Sequence, residues 1–118
     1  MNKQEKIKNF DPSQPGLADE SIFGLPFTAE ESEIIIIPVP WEVTVSYGSG
    51  ASNGPDTILE ASFQVDLHHQ DFPELWKLGM YLDLTDQTKN WADNSDKYKG
   101  LAQPIIAALE SGEVIESH

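Results

Sequence analysis

The sequence contains no cysteine and no arginine, and each absence excludes a class of function. Without cysteine, the chain has no disulfide framework, no thiolate metal site and no cysteine nucleophile. Without arginine, it lacks the side chain that binds phosphate and carboxylate groups in a bidentate fashion. Seven lysines stand against 20 acidic residues, which gives a net charge of −13. This balance excludes a nucleic-acid binder, because such proteins displace phosphate counterions with cationic side chains.

Long apolar segments are also missing. No run approaches the roughly 20 apolar residues that a bilayer-spanning helix needs. The polar segment that begins at Met1 is not followed by the apolar region of a secretory signal. We therefore expect no membrane partner and a cytoplasmic location. What is present, 39% hydrophobic and 23% charged residues in a chain of 118, is typical of one globular domain.

The first 32 residues are predicted to form an N-terminal arm, followed by a partial domain over residues 33–118. The arm is interrupted by prolines and shows no sustained period of 2 or 3.6 residues. Its few apolar side chains are expected to lie across a neighbouring surface. They are Phe10, Leu17, Ile22, Phe23, Leu25 and Phe27.

The clearest element is the run of four isoleucines at residues 34–37, which predicts a strand of a parallel sheet. An apolar run without alternation is typical of a strand whose two faces are both buried under helices. Pro38 and Pro40 lack backbone donors and end the ladder there. A loop rich in glycine and serine follows over residues 41–53.

A helix is predicted after this loop. Gly54 and Pro55 mark its start, because the missing N–H of proline is harmless in the first helical turn. Its apolar side chains predict a face that packs on a sheet. The predicted stripe comprises Ile58, Ala61, Ser62 and Val65, widened by Leu59 and Phe63.

The rest of the chain predicts a second strand over residues 78–84, an acidic loop over 86–96 and a second helix over 97–111. Ser95 is the expected cap of that helix and Gly112 its expected terminator. Pro104 inside it predicts a kink or two abutting helices.

The order strand–helix–strand–helix predicts an α/β fold, namely the start of a parallel three-layer sheet with a right-handed crossover. Two strands are too few for a sheet that is buried on both faces. Each isoleucine of the first strand would contribute about 1.5–3 kcal/mol, but only where something covers it. We therefore expect the chain to be completed by the rest of a larger protein or by self-association into a homo-oligomer.

Three segments of this order are distinctive. They are the proline-containing strand end at residues 37–42, the glycine loop and Gly-Pro helix start at 47–62, and Asp83-Leu84-Thr85-Asp86. Together they resemble the N-terminal part of the ureohydrolase family, which comprises arginases, agmatinases and formimidoylglutamases. The resemblance implies an incomplete ureohydrolase-like fold. It also implies a parent enzyme that hydrolyses a carbon–nitrogen bond of a linear amidine with two manganese ions.

The resemblance further implies that this chain alone is not catalytic. The metal ligands of the family come from Gly-Gly-Asp-His, Asp-Ala-His-x-Asp and Ser-x-Asp-x-Asp segments, and none of these occurs in the sequence. We accordingly assign no catalytic and no metal-ligating residue, and we expect manganese in the parent enzyme but no cofactor for this chain. In the family fold the glycine loop lies near the active-site rim, which makes Trp41, Glu42 and Tyr47 candidates for substrate-side contacts. Packing is the more ordinary role for Trp41 and Tyr47.

Two other polar groups have an ordinary interpretation beside a chemical one. His68 and His69, with His118, offer imidazoles for a small metal buffer, but adjacent histidines diverge and a solvated loop is simpler. Asp83 and Asp86 offer paired carboxylates for acid–base chemistry, or simply turn the chain at a strand end.

Two functions follow from these patterns. The first is an N-terminal fragment of an arginase- or agmatinase-like manganese hydrolase that is inactive alone. The alternative is a self-associating interaction module with no chemistry of its own.

Overall fold

The computed structural model describes residues 1–17, 19–45 and 47–114, which divide into two compact units. The first unit comprises Met1–Pro38 and Asp56–Leu84. The second comprises Val39–Pro55 and the described part of Thr85–His118. The helices are α1 (Lys3–Asn9), α2 (Gly54–Ser62) and α3 (Asp86–Glu110), the strands are β1 (Ile34–Ile36) and β2 (Met80–Leu82), and short 3₁₀ helices cover Ile22–Gly24, Ala51–Asn53 and Leu75–Leu78.

Strands β1 and β2 pair in parallel, which confirms the predicted α/β fold and its strand–helix–strand–helix order. Ile34 lies opposite Met80, and one further bond runs from the Asp83 N–H to the Ile36 carbonyl at 2.9 Å. The second strand is shorter than predicted because a 3₁₀ turn precedes it. That turn ends at Gly79, whose φ of +82° favours glycine and whose Cβ would lie 2.9 Å from the Ser32 Cα.

The prediction that β1 is buried on both faces is not met within this chain. Ile34 and Ile35 are each 42% exposed, and Ile37 is 62% exposed. The sheet formed by the described residues has two strands, whereas an unalternated apolar strand is typical of a sheet with further strands and helical layers. Within the described residues these isoleucines are therefore exposed apolar surface.

The core of the first unit is built largely by residues of the predicted arm. Leu25, Phe27 and Trp76 are buried together. The ring centroid of Trp76 lies 5.0 Å from that of Phe10 and 6.3 Å from that of Phe27. Each of these buried side chains contributes about 1.5–3 kcal/mol to folding. The arm's apolar side chains thus pack inside the unit that holds the sheet, with the exception of Leu17, which is exposed. The domain boundary after residue 32 stays a prediction.

Helix α1 was not predicted, although its first turn carries a clear local signal. The Asn2 side chain accepts a hydrogen bond from the Glu5 N–H, and the Glu5 carboxylate accepts one from the Asn2 N–H, both at 3.0 Å. This reciprocal capping box satisfies donors that would otherwise be unpaired at a helix start.

Helix α2 starts at Gly54 as predicted, but only part of the predicted stripe is buried. Ile58 is 61% exposed and Val65 is 51% exposed, whereas Ser62 is buried. The Ser62 hydroxyl accepts a hydrogen bond from the Phe23 N–H at 2.9 Å, and it donates to the Leu59 carbonyl at 2.6 Å. The predicted stripe is therefore met at Ser62 and at the half-buried Leu59 and Phe63, while its other side chains are exposed. Hydrogen bonds to the arm hold the end of this helix, and apolar periodicity does not report them.

Helix α3 begins at Asp86, so the predicted acidic loop over residues 86–96 is wrong. Thr85 is its cap: the Thr85 hydroxyl accepts from the Thr88 N–H, and the Thr88 hydroxyl accepts from the Thr85 N–H, both at 3.4 Å. Ser95, the expected cap, lies inside the helix and is fully buried. The buried positions of this half of the helix are polar, so a search for apolar periodicity passes over it.

The other end of α3 follows the prediction. Gly112 adopts a φ of +77°, the Glu113 N–H donates to the Ala108 carbonyl at 2.9 Å, and the Gly112 N–H donates to the Leu109 carbonyl at 3.2 Å. This is a Schellman motif with glycine at its left-handed position. The helix continues through Pro104 as one element. No helix within the described ranges has the length and apolar character to cross a membrane.

Candidate functional site

The three predicted substrate-side residues lie in the second unit, in the segment that joins β1 to α2. The structure places them in three different environments. Glu42 is buried, with 8% of its surface exposed; Trp41 is 46% exposed; and Tyr47 is 96% exposed. The carboxylate is therefore the one member of this set that the surrounding chain encloses.

The Glu42 carboxylate is surrounded by hydrogen-bond donors from the loop that follows it. Its Oε2 accepts from the N–H groups of Gly50 at 2.9 Å and Ala51 at 3.2 Å. Its Oε1 accepts from the Ser52 hydroxyl at 2.8 Å and from the Gly50 N–H at 3.1 Å. The Nζ of Lys99 lies 3.3 Å from the same Oε1 and completes an ion pair.

Helix α3 contacts Glu42 at its backbone as well as at its carboxylate. The Glu42 N–H donates to the Ser95 Oγ at 2.8 Å, and Ser95 is fully buried. Lys99 also donates to the Ser49 hydroxyl at 2.9 Å. Ser95 and Lys99 are four residues apart and therefore share one face of the helix, so this face meets both the backbone and the side chain of Glu42.

These donors lower the pKa of the Glu42 carboxyl from its ordinary value of 4.5 to about 2. The Gly50 backbone donor is the largest cause, the Ser52 hydroxyl and Lys99 act in the same direction, and burial opposes them. The group is therefore ionised at neutral pH, and both of its oxygens accept hydrogen bonds from within the chain.

Trp41 and Tyr47 differ in what they contact. The ring of Trp41 lies 6.3 Å from that of Tyr98 on α3, with an interplanar angle of 47°. This is the packing role that the sequence favoured for Trp41. Tyr47 instead stands in solvent beside Gly48, whose φ is +65°. Contacts of these residues with a substrate stay predictions.

The histidine-rich segment forms an exposed turn. His68 and His69 are exposed, and the His69 Nδ1 accepts from the N–H groups of Asp71 at 3.2 Å and Phe72 at 3.3 Å. His118 lies outside the described residues. Within residues 1–17, 19–45 and 47–114, no three His, Cys, Asp or Glu side chains are grouped so that they could hold a metal ion. The donor set described here does not fit a binuclear metal centre.

The two aspartates of the resemblance belong to different units. Asp83 follows β2 in the first unit and extends its ladder, as described above. Asp86 is the first residue of α3, where its negative charge interacts favourably with the positive end of the helix dipole.

A pocket of about 630 Å³ in the first unit was not predicted. It lies beside the carboxyl end of β2, and residues of the predicted arm form much of its wall. Its acidic lining residues are Asp19, Glu20, Glu30 and Asp83. Sequence patterns missed it because its residues come from separate parts of the chain, and no local spacing connects them.

Comparison with known proteins gives two matches. The model of the arginase family matches residues 32–115 of this chain. A stretch of 41 residues is 34% identical to N(1)-aminopropylagmatine ureohydrolase from Synechocystis sp., and it covers 35% of this chain and 13% of that protein. The match therefore spans a small part of the curated relative. No solved structure matches the chain.

Proposed function

The chain belongs to the arginase family, and on that premise we propose that it is the N-terminal part of a manganese-dependent hydrolase of linear amidines. The observation that carries this proposal is the family match over residues 32–115. It is supported by the parallel pairing of β1 with β2 and by the similarity to a ureohydrolase that is named for an agmatine derivative. The parent protein would cleave a carbon–nitrogen bond of an amidine.

Within this proposal the chain provides scaffold rather than catalytic groups. Binuclear hydrolysis needs a cluster of histidine and aspartate ligands that holds two metal ions and the attacking water. The described residues contain no such cluster, and the three ligand segments of the family are absent from the sequence. The metal ions, their ligands and the catalytic steps would belong to other segments of the parent.

An activity assay tests the inactivity of the isolated chain. The 118-residue protein is incubated with Mn²⁺ and, separately, with agmatine, arginine or N-formimidoylglutamate. We expect no urea, ammonia or formamide above the metal-only blank, while the full-length Synechocystis ureohydrolase acting on its own substrate serves as the positive control. Turnover that purifies with the chain and disappears on chelation would contradict the proposal.

The coding DNA downstream of codon 118 tests the parentage. We expect an open frame that encodes a Gly-Gly-Asp-His segment within the next few dozen residues. A frame that continues through a different, complete domain without any of the three ligand segments would overturn this part of the proposal.

The apolar surface of β1 favours a second candidate function, a self-associating module. Ile34, Ile35 and Ile37 are exposed, and β1 pairs with β2 along one edge of a two-stranded sheet. Pairing of two copies across a two-fold axis would bury these side chains. The parent protein or a second copy is thus the partner we propose for this surface.

A further inference from the structure

We propose that Glu42 is a positioning residue: its carboxylate, held by α3, fixes the conformation of the loop over residues 48–52 in advance of any ligand. The inference goes beyond the proposed function and does not depend on it. It concerns how the chain itself shapes the segment that joins β1 to α2.

The first argument is that both carboxylate oxygens of Glu42 accept hydrogen bonds from donors within the chain. A buried carboxylate must be matched by donors, since an unpaired charge away from water is strongly unfavourable. Glu42 receives two backbone N–H groups, one hydroxyl and one ammonium group, as described above. Among the described residues, no buried side-chain nitrogen or oxygen atom is left without a partner. The site is therefore complete without a bound molecule.

The second argument is that packing does not hold the glycines of this loop. Gly48 and Gly50 have φ values of +65° and +131°, a region that residues with side chains rarely adopt. Among the described residues, no atom outside their chain neighbours lies within 4 Å of the position that a Cβ would take at either glycine. Glycine is needed here for backbone conformation rather than for space. Hydrogen bonds to Glu42 hold residues 50–52 of the loop, beside the bond from Lys99 to the Ser49 hydroxyl and the 3.0 Å bond from the Asn53 N–H to the Gly50 carbonyl.

The third argument is that Glu42 is itself held in place by helix α3. Ser95 fixes the backbone of Glu42, and Lys99 contacts both its carboxylate and the Ser49 hydroxyl. Both residues lie in the interior of a 25-residue helix. The position of Glu42 is thus set by α3, and the N–H groups of the loop bind to its carboxylate there.

The test measures amide hydrogen exchange of Gly50 and Ala51 by NMR in the 118-residue chain and in E42Q. Glutamine keeps the size of the side chain but replaces one acceptor with a donor, and both carboxylate oxygens face an N–H group. We expect exchange at these two amides to be at least about tenfold faster, because charge-assisted bonds are lost. Amides in the centre of α3 keep their wild-type rates. E60Q, the same change at an exposed position of α2, is the matched control.

A second pair of variants keeps the proposal testable if E42Q does not fold. K99M removes the ion pair but leaves the carboxylate in place, and K89M is its control at an exposed position of the same helix. We expect K99M to raise exchange at Gly50 and Ala51 several-fold, with K89M at the wild-type rate. Unchanged exchange in the folded variants would overturn the proposal, and so would acceleration that occurs equally throughout α3. These readouts require no enzyme assay, so their failure is distinct from a failure of the proposed function.

Discussion

Glu42 and Glu31 are carboxylates that are paired within their own units. Glu31 accepts from the Lys6 ammonium at 2.6 Å and from the Thr28 N–H at 3.0 Å. The hydrogen bond from Lys6 is the largest cause that lowers its pKa to about 2, and the Thr28 N–H adds to it. Both glutamates therefore bind protons less readily in the folded chain than at the ordinary pKa of 4.5. Such a difference links stability to pH.

We expect E31Q and E42Q to reduce the acid sensitivity of the fold. A folded-state pKa of about 2 against an ordinary value of 4.5 means that each glutamate stabilises the fold fully above about pH 4.5. That contribution is lost as the pH falls towards about 2. Thermal melting of the wild type and of each variant across this window measures the difference, with E60Q as the control for a lost exposed charge. If the melting temperature falls equally with pH in the wild type, E31Q, E42Q and E60Q, then neither Glu31 nor Glu42 contributes to the acid sensitivity.

At the scale of elements, the two ends of α3 are determined by capping residues that lie at or beside them in the sequence. Thr85 and Thr88 exchange hydrogen bonds at its start, and Gly112 takes the left-handed conformation after its end. Such caps satisfy N–H and carbonyl groups that have no partner within the helix. The limits of the helix are thus set by a few side chains and one glycine.

Two glycine-to-alanine changes are expected to have opposite effects on stability. G112A places a Cβ on a residue whose φ is +77°, which costs roughly 1 kcal/mol. G100A, inside α3 at an exposed position with open space around it, is expected to stabilise by about 0.5–1 kcal/mol. Denaturant midpoints of the two variants measure the difference. A stabilising G112A would contradict the assignment of the helix end.

The N-cap of α3 supplies a further prediction. T85A removes the hydroxyl that accepts from the Thr88 N–H, and we expect it to destabilise the chain by about 0.5–2 kcal/mol. Q87A, at an exposed position in the first turn, is the control and is expected to be near neutral. Chemical denaturation measures both. If T85A and Q87A unfold at the same midpoint, the helix does not depend on this cap.

At the scale of the whole molecule, exposed isoleucines and a strong negative charge act in opposite directions. The apolar surface of β1 favours association, whereas a net charge of −13 makes copies of the chain repel one another. Salt screens this repulsion, with a Debye length of about 10 Å at 0.1 M. Ionic strength should therefore control whether the chain associates.

Sedimentation velocity at micromolar concentration tests the β1 surface. We expect the chain to form dimers or larger species, and more of them at high salt than at low salt. I35K is expected to remain monomeric, whereas I58K, the same change at an exposed position of α2, associates like the wild type. A wild-type monomer that is unchanged by concentration and salt would contradict the self-associating module.

Prediction from the sequence succeeded where short segments determine their own structure. The isoleucine run specified a parallel strand, Gly54 and Pro55 specified a helix start, and Gly112 specified a helix end. Each depends on the conformational preferences of a few adjacent residues. The resemblance that these segments carry was also confirmed by the family match over residues 32–115.

The tertiary structure alone decided which polar residues are enclosed and where the arm packs. Glutamate is normally exposed, and the burial of Glu42 requires donors from residues 50–52 and from Lys99, which is remote in sequence. Phe27 is buried in the core because it packs against the ring of Trp76, which lies far from it in the sequence. Local backbone preferences act over a few residues, so the sequence patterns predicted the helices and strands. Burial and charge pairing depend on which distant segments the fold brings together, so the same patterns did not predict the enclosed carboxylate of Glu42.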